Sequence, residues 1–212
     1  MVTENEVTDI RVNVKRTDRR SVYINGEYAF SVSEGIFVEH GIAVGDRLTD
    51  EEIRNLVALD RHQRIKDAAL TFLSYRPRSV QEMRRRLGEK GWSNQEIEPV
   101  IEELEKKDLL NDEEFAVLFA RDRVQRKFLG PAALRYELKR MGIDQDLAER
   151  VIEDTYRTTP PEALIQSLLE ARRIDLSRPV DRKERTRLIN LLKRKGFSWA
   201  HMEPLISRLK TH

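Results

Sequence analysis

The pattern of apolar and polar positions gives the start of the chain a β character. Apolar and polar residues alternate over 10–14 and over 28–32, as in strands with one buried face, and the apolar runs 22–24 and 28–30 flank Asn25-Gly26. Asn-Gly supplies the positive φ angles of a type I′ turn, so this region predicts a hairpin within a small three-stranded sheet. The short apolar run 35–38 is expected to cover part of one face.

From Thr49 the period becomes helical. Thr49 and Glu52 have the spacing of a capping box, and the apolar positions that follow fall on one helical face. Arg76-Pro77 ends this first long helix, because a residue that precedes proline is disfavoured in the α region.

A repeated helical unit then follows. Gly91, Gly142 and Gly196 each come after a basic helix end, at intervals of 51 and 54 residues. Each suits the left-handed position that ends a helix. A leucine lies four residues before each glycine, and a serine or aspartate that can cap a helix lies two residues after it. Each unit is therefore predicted as helix, helix, glycine turn, helix. The first helices of the units are predicted over 50–75, 112–128 and 161–173.

These patterns predict a mainly α protein of three tandem three-helix repeats in an elongated arrangement, with a small N-terminal β extension. The predicted segments are the extension 1–48 and the repeats 49–111, 112–157 and 158–212. Ser79 and Glu82 have the spacing of a capping box at the start of a middle helix. Pro99 and Pro204 fall at one offset inside two third helices and predict a shared bend.

Composition narrows the class of protein. Only 39% of the 212 residues are hydrophobic and 36% are charged, which argues against one thick core. The chain has no cysteine, so disulfides, thiolate nucleophiles and cysteine metal sites are excluded. It shows neither a membrane-spanning run nor a secretory signal, so we expect a cytoplasmic protein without a membrane partner.

Positive charge recurs in each repeat. The net charge is only +2, but residues 157–212 carry +7. Basic residues outnumber acidic ones by six to two over 76–90, seven to two over 121–140 and ten to three over 172–195. If the middle helices repeat on one side of the molecule, they form a basic stripe that would meet a polyanion or an acidic protein surface. The stripe is predicted to consist of Arg84, Arg85, Arg86, Lys90, Arg121, Arg123, Arg126, Lys127, Arg135, Lys139, Arg140, Arg172, Arg173, Arg185, Arg187, Lys193, Arg194 and Lys195.

Catalytic chemistry is not indicated. The four histidines lack metal-ligand spacing, and no phosphate-binding loop, nucleophile elbow or dinucleotide-binding glycine cluster occurs. The carboxylates have basic neighbours at helical spacing and suit surface pairing. We therefore expect no enzyme, cofactor or metal. The aromatic residues that could stack on bases are interpreted instead as core: Trp92, Trp199, Phe115 and Phe119.

An ordered set of motifs resembles the RecX family of bacterial recombination regulators. The set comprises Arg76–Leu87, Lys90-Gly91, Leu109–Ala116, Arg121-Asp122-Arg123, and Gly130-Pro131 with Leu134 and Glu137-Leu138. The resemblance is strongest over 70–156, extends to the N-terminal hairpin, and departs in the third repeat, where the connection 173–181 is longer.

The resemblance implies a cytosolic protein that binds the RecA recombinase in the groove of the RecA–DNA filament. It implies inhibition of ATP hydrolysis, strand exchange and SOS co-protease activity, by blocking filament growth or promoting disassembly. Some members of the family also bind DNA, so single- or double-stranded DNA is a second candidate partner.

Two other classes compete with a RecA regulator. A nucleic-acid-binding protein of helix-turn-helix type would need one recognition helix and a dimer seam, and the sequence shows neither. We accordingly expect a monomer. An adaptor solenoid is the third class, and in it the charge asymmetry would be incidental.

Overall fold

The computed structural model describes residues 5–14, 16–176 and 179–209. Four strands and a short helix come first: β1 Asn5–Val12, β2 Arg19–Ile24, β3 Glu27–Ser33, α1 Glu34–Glu39 and β4 Arg47–Leu48. Nine helices follow within the described ranges: α2 Asp50–Tyr75, α3 Val80–Gly88, α4 Asn94–Lys106, α5 Asp112–Lys127, α6 Pro131–Arg140, α7 Gln145–Thr158, α8 Pro161–Ala171, α9 Arg182–Arg194 and α10 Trp199–Ile206. The prediction of a mainly α protein with a small N-terminal sheet is confirmed.

The sheet is antiparallel and runs in the order β3-β2-β1-β4. Asn25 and Gly26 have φ angles of 50° and 86°, so the predicted hairpin turn is present. The sheet has four strands, so the prediction of three was wrong. The additional strand, β4, pairs with β1 through only two residues. A strand of that length is too short to show alternation in the sequence.

One face of the sheet is covered by helices. Ile36 of α1 and Leu56 of α2 are buried in an apolar cluster with Val22 and Phe30 of the sheet. The run 35–38 therefore covers the sheet as predicted, and it does so as a helix.

A buried ion pair joins the sheet to α2. The Arg19 guanidinium donates to both oxygens of Asp60, at 3.1 and 2.7 Å, and also to the Ser31 carbonyl at 2.6 Å. Asp60 accepts a further bond from the Ser33 N–H at 2.8 Å. Both charged side chains are less than 10% exposed. Because their hydrogen bonds leave little capacity unused, this pair fixes the position of the extension on the first long helix.

The helices follow the predicted order of helix, helix, glycine turn and helix three times over. They belong to two compact units, one within residues 1–75 and 86–103 and the other within 76–85 and 104–212. The boundaries of the four sequence segments stay a prediction. In the second unit, one apolar cluster draws buried residues from all six helices α5 to α10.

The three glycine turns have the predicted conformation. The φ angles are 92° at Gly91, 78° at Gly142 and 88° at Gly196. Side chains at the predicted N-caps Asp144 and Ser198 accept hydrogen bonds from the first turn of α7 and α10. Pro99 and Pro204 lie inside α4 and α10, and the shared bend stays a prediction.

Two of these turns, at Gly142 and Gly196, pack on the start of the middle helix of the preceding repeat. We call these two contacts the first joint and the second joint. At the first joint, Ser79, which precedes α3, donates from Oγ to the Met141 carbonyl at 2.6 Å. A Cβ on Gly142 would lie 2.3 Å from the Gln81 side chain. The C-terminus of α6 therefore meets the N-terminus of α3 closely enough to require glycine.

The second joint has the same geometry. Gly130 and Ala132, at the start of α6, donate their N–H groups to the carbonyls of Lys195 and Gly196, at 2.7 and 3.2 Å. A Cβ on Gly196 would lie 2.3 Å from the Ala133 nitrogen. The carbonyls that end α9 thus satisfy N–H groups that begin α6, with the two helix dipoles in a favourable head-to-tail order.

Removing one partner of the buried pair tests its structural role. Asp60→Ala leaves the Arg19 charge buried without a counter-ion, so we expect the free energy of unfolding to fall by about 3–5 kcal/mol. Arg19→Met with Asp60→Leu removes both charges and should recover most of that loss. Denaturant unfolding of the three proteins measures the difference. A loss below about 1 kcal/mol for Asp60→Ala would contradict the assignment.

Comparing the variants Gly91→Ala and Gly196→Ala distinguishes the cost of backbone strain from the cost of disturbing the packing at the second joint. Both substitutions place a Cβ on a left-handed residue, which costs about 1–2 kcal/mol. Only at Gly196 would the new Cβ also collide with Ala133, since nothing lies within 4 Å at Gly91. We expect Gly196→Ala to destabilise the protein by about 1–3 kcal/mol more than Gly91→Ala. Equal losses in denaturant unfolding would show that the joint is not tightly packed.

Candidate partner-binding surface

The predicted basic residues lie on two kinds of element. Twelve lie on the middle helices α3, α6 and α9 or in the turns that end them: Arg84, Arg85, Arg86, Lys90, Arg135, Lys139, Arg140, Arg185, Arg187, Lys193, Arg194 and Lys195. Six lie in the C-terminal half of the first helix α5 or directly after the first helix α8: Arg121, Arg123, Arg126, Lys127, Arg172 and Arg173. The prediction that each repeat carries its basic residues on the middle helix was therefore wrong in part. Six of the eighteen lie in the last turn of a helix, where the dipole favours cations: Arg126, Lys127, Lys139, Arg140, Lys193 and Arg194.

Several of these cations are paired with carboxylates inside the second unit. Arg123 donates to Glu137 at 2.5 Å and to Asp122 at 2.9 Å, and its guanidinium lies 4.2 Å from the centre of the Phe119 ring. Arg126 also pairs with Asp122, at 2.9 Å. Arg123 is therefore held by its own repeat and is a weaker candidate for partner contact than the sequence indicated.

Other cations pair in the same way. Two guanidinium nitrogens of Arg135 donate to the carboxylate of Glu149. These hydrogen bonds raise the pKa of Arg135 and lower the pKa of Glu149. Arg86 pairs with Glu89 at 3.3 Å. The sequence indicated that surface carboxylates pair with basic neighbours. Some of these neighbours belong to the basic stripe.

An arginine clamp surrounds a buried carboxylate at the start of α3. Glu82 accepts from Arg76 at 2.5 and 2.9 Å and from Arg78 at 2.6 Å. Burial disfavours its charged form, but the two guanidinium groups outweigh burial and keep the pKa of Glu82 below its ordinary value. Of the predicted capping box, one hydrogen bond forms: the Ser79 Oγ accepts from the Glu82 N–H at 3.1 Å. The Glu82 carboxylate binds the two arginines instead. The spacing of Arg76, Arg78 and Glu82 was visible in the sequence, but its role was missed.

Two cations face one cavity at the first joint. Arg85 of α3 and Arg140 of α6 line a space of about 350 Å³ together with Gln81, Glu82 and Met141. The joint thus brings together basic residues of the first and second repeats that are 55 positions apart in the chain.

A second group of cations meets at the second joint. We call Lys127, Arg172 and Lys195 the joint cluster. The Lys195 ammonium donates to the Lys127 carbonyl at 2.5 Å. Burial, and then the charges of Arg172 and Lys127, lower the pKa of Lys195. Lys127 also lies 3.6 Å from Glu137. These three residues come from three different helix ends of the second and third repeats.

The remaining basic residues have mixed surroundings. Arg121 borders an apolar groove of about 420 Å³ between α5 and α7. Arg185 and Arg187 border a mainly apolar cavity on α9. Lys90 lies 5.5 Å from the centre of the Phe72 ring. The last group is exposed: Lys139, Arg173, Lys193 and Arg194.

Half-buried Asp112 links α5 to the start of α3. It accepts from the Val80 N–H at 2.9 Å. Burial raises the pKa of Asp112, although that hydrogen bond and the nearby charge of Arg84 act in the opposite direction.

The aromatic residues divide between core and surface. Phe115 is buried and stacks on Phe119 with ring centres 5.4 Å apart, which confirms the core interpretation for that pair. Trp199 is 49% exposed, so its assignment to the core was wrong. It is the first residue of α10, and the neighbouring apolar side chain Phe197 is the one that fills the core.

The described parts of the chain offer no group of three or more histidine and carboxylate side chains that could hold a metal ion. None of the helices within these parts is both long enough and apolar enough to cross a membrane.

Comparisons with protein families match three parts of the chain. Residues 5–49 match the N-terminal domain of regulatory protein RecX, 66–104 match the first three-helix domain of RecX, and 111–152 match its second three-helix domain. A regulatory protein RecX from Lactobacillus delbrueckii subsp. bulgaricus is 33% identical over 190 residues, which cover 87% of this chain and 68% of that protein. A regulatory protein RecX from Clostridium acetobutylicum is 26% identical over 97% of both chains.

Solved structures share the fold. A crystal structure of regulatory protein RecX superposes with a TM-score of 0.68 at 24% identity and covers 96% of this chain and 100% of its own. The crystal structure of RecX from Lactobacillus salivarius gives a TM-score of 0.56 at 25% identity over 71% of this chain and 97% of its own. With its N-terminal domain and its first two three-helix units matched in these ways, the chain belongs to the RecX family of regulatory proteins.

Proposed function

We propose that this protein binds the RecA recombinase on DNA, in the groove or at the end of the RecA–DNA filament. There it inhibits the ATPase, strand-exchange and co-protease activities of RecA, and so modulates DNA repair and the SOS response. Membership in a family of regulatory proteins carries this proposal. It acts by binding alone, as a monomer in the cytoplasm, and it needs no cofactor.

The distribution of charge supports a partner that presents negative charge. Cations of successive repeats meet at both joints, as Arg85 with Arg140 and as the joint cluster. Such concentrations of one sign attract a polyanion and speed its association. A filament that carries DNA phosphates and acidic protein groups in one groove would be electrostatically complementary to this surface.

RecA ATPase activity on single-stranded DNA tests the proposal. We expect sub-stoichiometric protein to inhibit ATP hydrolysis, because one bound molecule can block the growth of a whole filament. The measurement uses the RecA of the source organism and a titration across a wide concentration range. If hydrolysis stays constant throughout while the protein still binds DNA, a nucleic-acid-binding protein of helix-turn-helix type becomes the better account.

Charge reversal at exposed stripe residues tests the surface itself. Arg121, Lys139 and Arg140 form no ion pair with a carboxylate within the described ranges, so replacing them with glutamate breaks no ion pair there. We expect the concentration for half-inhibition of RecA to rise about ten-fold or more, because electrostatic attraction of that order is lost.

A matched control separates this effect from net charge. Reversing exposed Arg54, Arg64 and Arg150 changes the total charge equally, but none of these residues belongs to the stripe. The control should leave inhibition nearly unchanged. Equal weakening by both triple variants would remove Arg121, Lys139 and Arg140 from the interface.

A further inference from the structure

A groove on the second repeat is left unfilled by the chain. It lies between α5 and α7 and has a volume of about 420 Å³. Clefts that bind ligands commonly have volumes of about 300–1,000 Å³. Among the residues that line the groove, Val124 and Val151 are buried, whereas Val117 is 51% exposed. The groove therefore has an apolar floor and is open to solvent.

The residue types along the groove keep it open. Six of the nine residues that line it are valine or threonine: Val117, Val124, Val151, Thr155, Thr158 and Thr159. These β-branched side chains are short, and they favour helices less than leucine or methionine does. Longer apolar side chains at the same positions would fill the groove and suit the helices better. The residues that are present leave room for the side chains of a partner.

The charged residues on the two walls do not bridge the groove. Arg121 of α5 and Asp154 of α7 both line it, yet Arg121 has no carboxylate within 4.0 Å among the described residues. Asp154 pairs with Arg157 instead, at 3.0 Å. Arg121 lies outside the last turn of α5, so the helix dipole does not account for its charge. A carboxylate on a bound partner would complement it.

The walls of the groove are held in place. The Tyr156 hydroxyl of α7 donates to the Leu129 carbonyl at 2.6 Å, and Leu129 lies just after the end of α5. Val124 and Val151 also belong to the apolar cluster of the second unit. The groove therefore does not have to be ordered when a partner arrives, which lowers the cost of binding.

The spacing of the lining residues fits a helix. Val117, Arg121 and Gln125 are four positions apart along α5 and mark a length of about 12 Å, or roughly two helical turns. An amphipathic helix presents apolar side chains at i, i+4 and i+7 over such a length, and apolar grooves recognise helices in this way. An extended segment would need unpaired main-chain groups beside it, and two helices do not offer them.

We propose that the groove between α5 and α7 binds an amphipathic helix of a partner protein, with apolar side chains over Val117, Val124 and Val151 and a carboxylate beside Arg121. The inference rests on the proposed function, under which this helix belongs to RecA. A nucleic acid strand fits the groove poorly, because its lining is mainly apolar and Asp154 would repel phosphate.

Binding to the filament tests the groove. RecA of the source organism is polymerised with a non-hydrolysable ATP analogue on an immobilised oligothymidylate, and the full chain is titrated onto it by biolayer interferometry. Val117→Glu places a charge at the apolar rim, so we expect the dissociation constant to rise about 30-fold, as for a lost hot-spot contact. Arg121→Gln should raise it about two- to five-fold, and less as salt is added.

Leu118→Glu is the matched control. Leu118 is the next residue of α5 and is 43% exposed, but it does not line the groove. The control introduces the same charge and removes an exposed apolar side chain, and it should change the dissociation constant less than about two-fold. If Val117→Glu lowers the melting temperature, Val117→Thr replaces it, because threonine keeps the shape of valine. We expect that variant to bind about four-fold more weakly, as for one methyl group.

Binding to the same oligothymidylate without RecA should be equal for the two glutamate variants. A loss there that is confined to Val117→Glu would overturn the proposal, and so would equal dissociation constants of both variants on the filament. A wild-type dimer that Val117→Glu converts to a monomer in light scattering would make the groove an interface between copies of the chain. That result also contradicts the proposal.

The outcomes separate the groove from the proposed function. If the wild-type chain does not bind the filament, the proposed function fails and the groove loses its assigned partner. If Val117→Glu binds the filament and inhibits RecA as well as the wild-type chain does, the groove proposal alone fails.

Photo-crosslinking identifies the occupant. Gln125 is exposed and lines the groove, so a benzophenone amino acid placed there should crosslink to RecA within the filament. Mass spectrometry of the crosslinked peptide should find a helical segment with apolar residues at i, i+4 and i+7 and at least one carboxylate. Crosslinks only to DNA, or only to a segment without this pattern, would refute the proposal.

Discussion

The docking of a glycine turn onto the start of a neighbouring helix is the contact on which the second unit depends. Main-chain carbonyls that would otherwise be left unpaired at the end of one middle helix meet the polar start of another. At Gly142 and Gly196 the approach is so close that any side chain would collide. The two joints therefore tie the order of the repeats in the chain to the order of the middle helices in the second unit.

The same contact decides where positive charge collects. Helix C-terminal ends favour lysine and arginine, and each joint brings such an end against the preceding repeat. Basic residues that are distant in sequence thus become neighbours, as Arg85 and Arg140 do across one cavity. Part of the basic stripe is neutralised within the repeats, by pairs such as Arg123 with Glu137. The cations at the joints are the stronger candidates for contact with a partner.

Local signals in the sequence predicted much of this architecture. Some residues determine the conformation of the backbone in which they lie, as Asn25-Gly26, the Thr49 cap and the three glycines do. The hairpin, the helix start and the turns could therefore be predicted from the sequence. The two-residue strand β4 could not, because its pairing is decided by distant β1. The pair of Arg19 with Asp60 was missed for the same reason, since 41 positions separate two charges that look like ordinary surface residues. Likewise, no periodic pattern distinguishes Arg123, which is bound by its own repeat, from Lys195, which is anchored at a joint.

The central claim is that the basic residues near the joints face the RecA–DNA filament. Site-specific photo-crosslinking tests it most directly, with a benzophenone amino acid placed at Lys139 of α6 or at Glu153 of α7, both of which are exposed. The account predicts crosslinks from position 139 to RecA or to DNA when the filament is present, and few from position 153. Efficient crosslinking from position 153 with none from position 139 would contradict it.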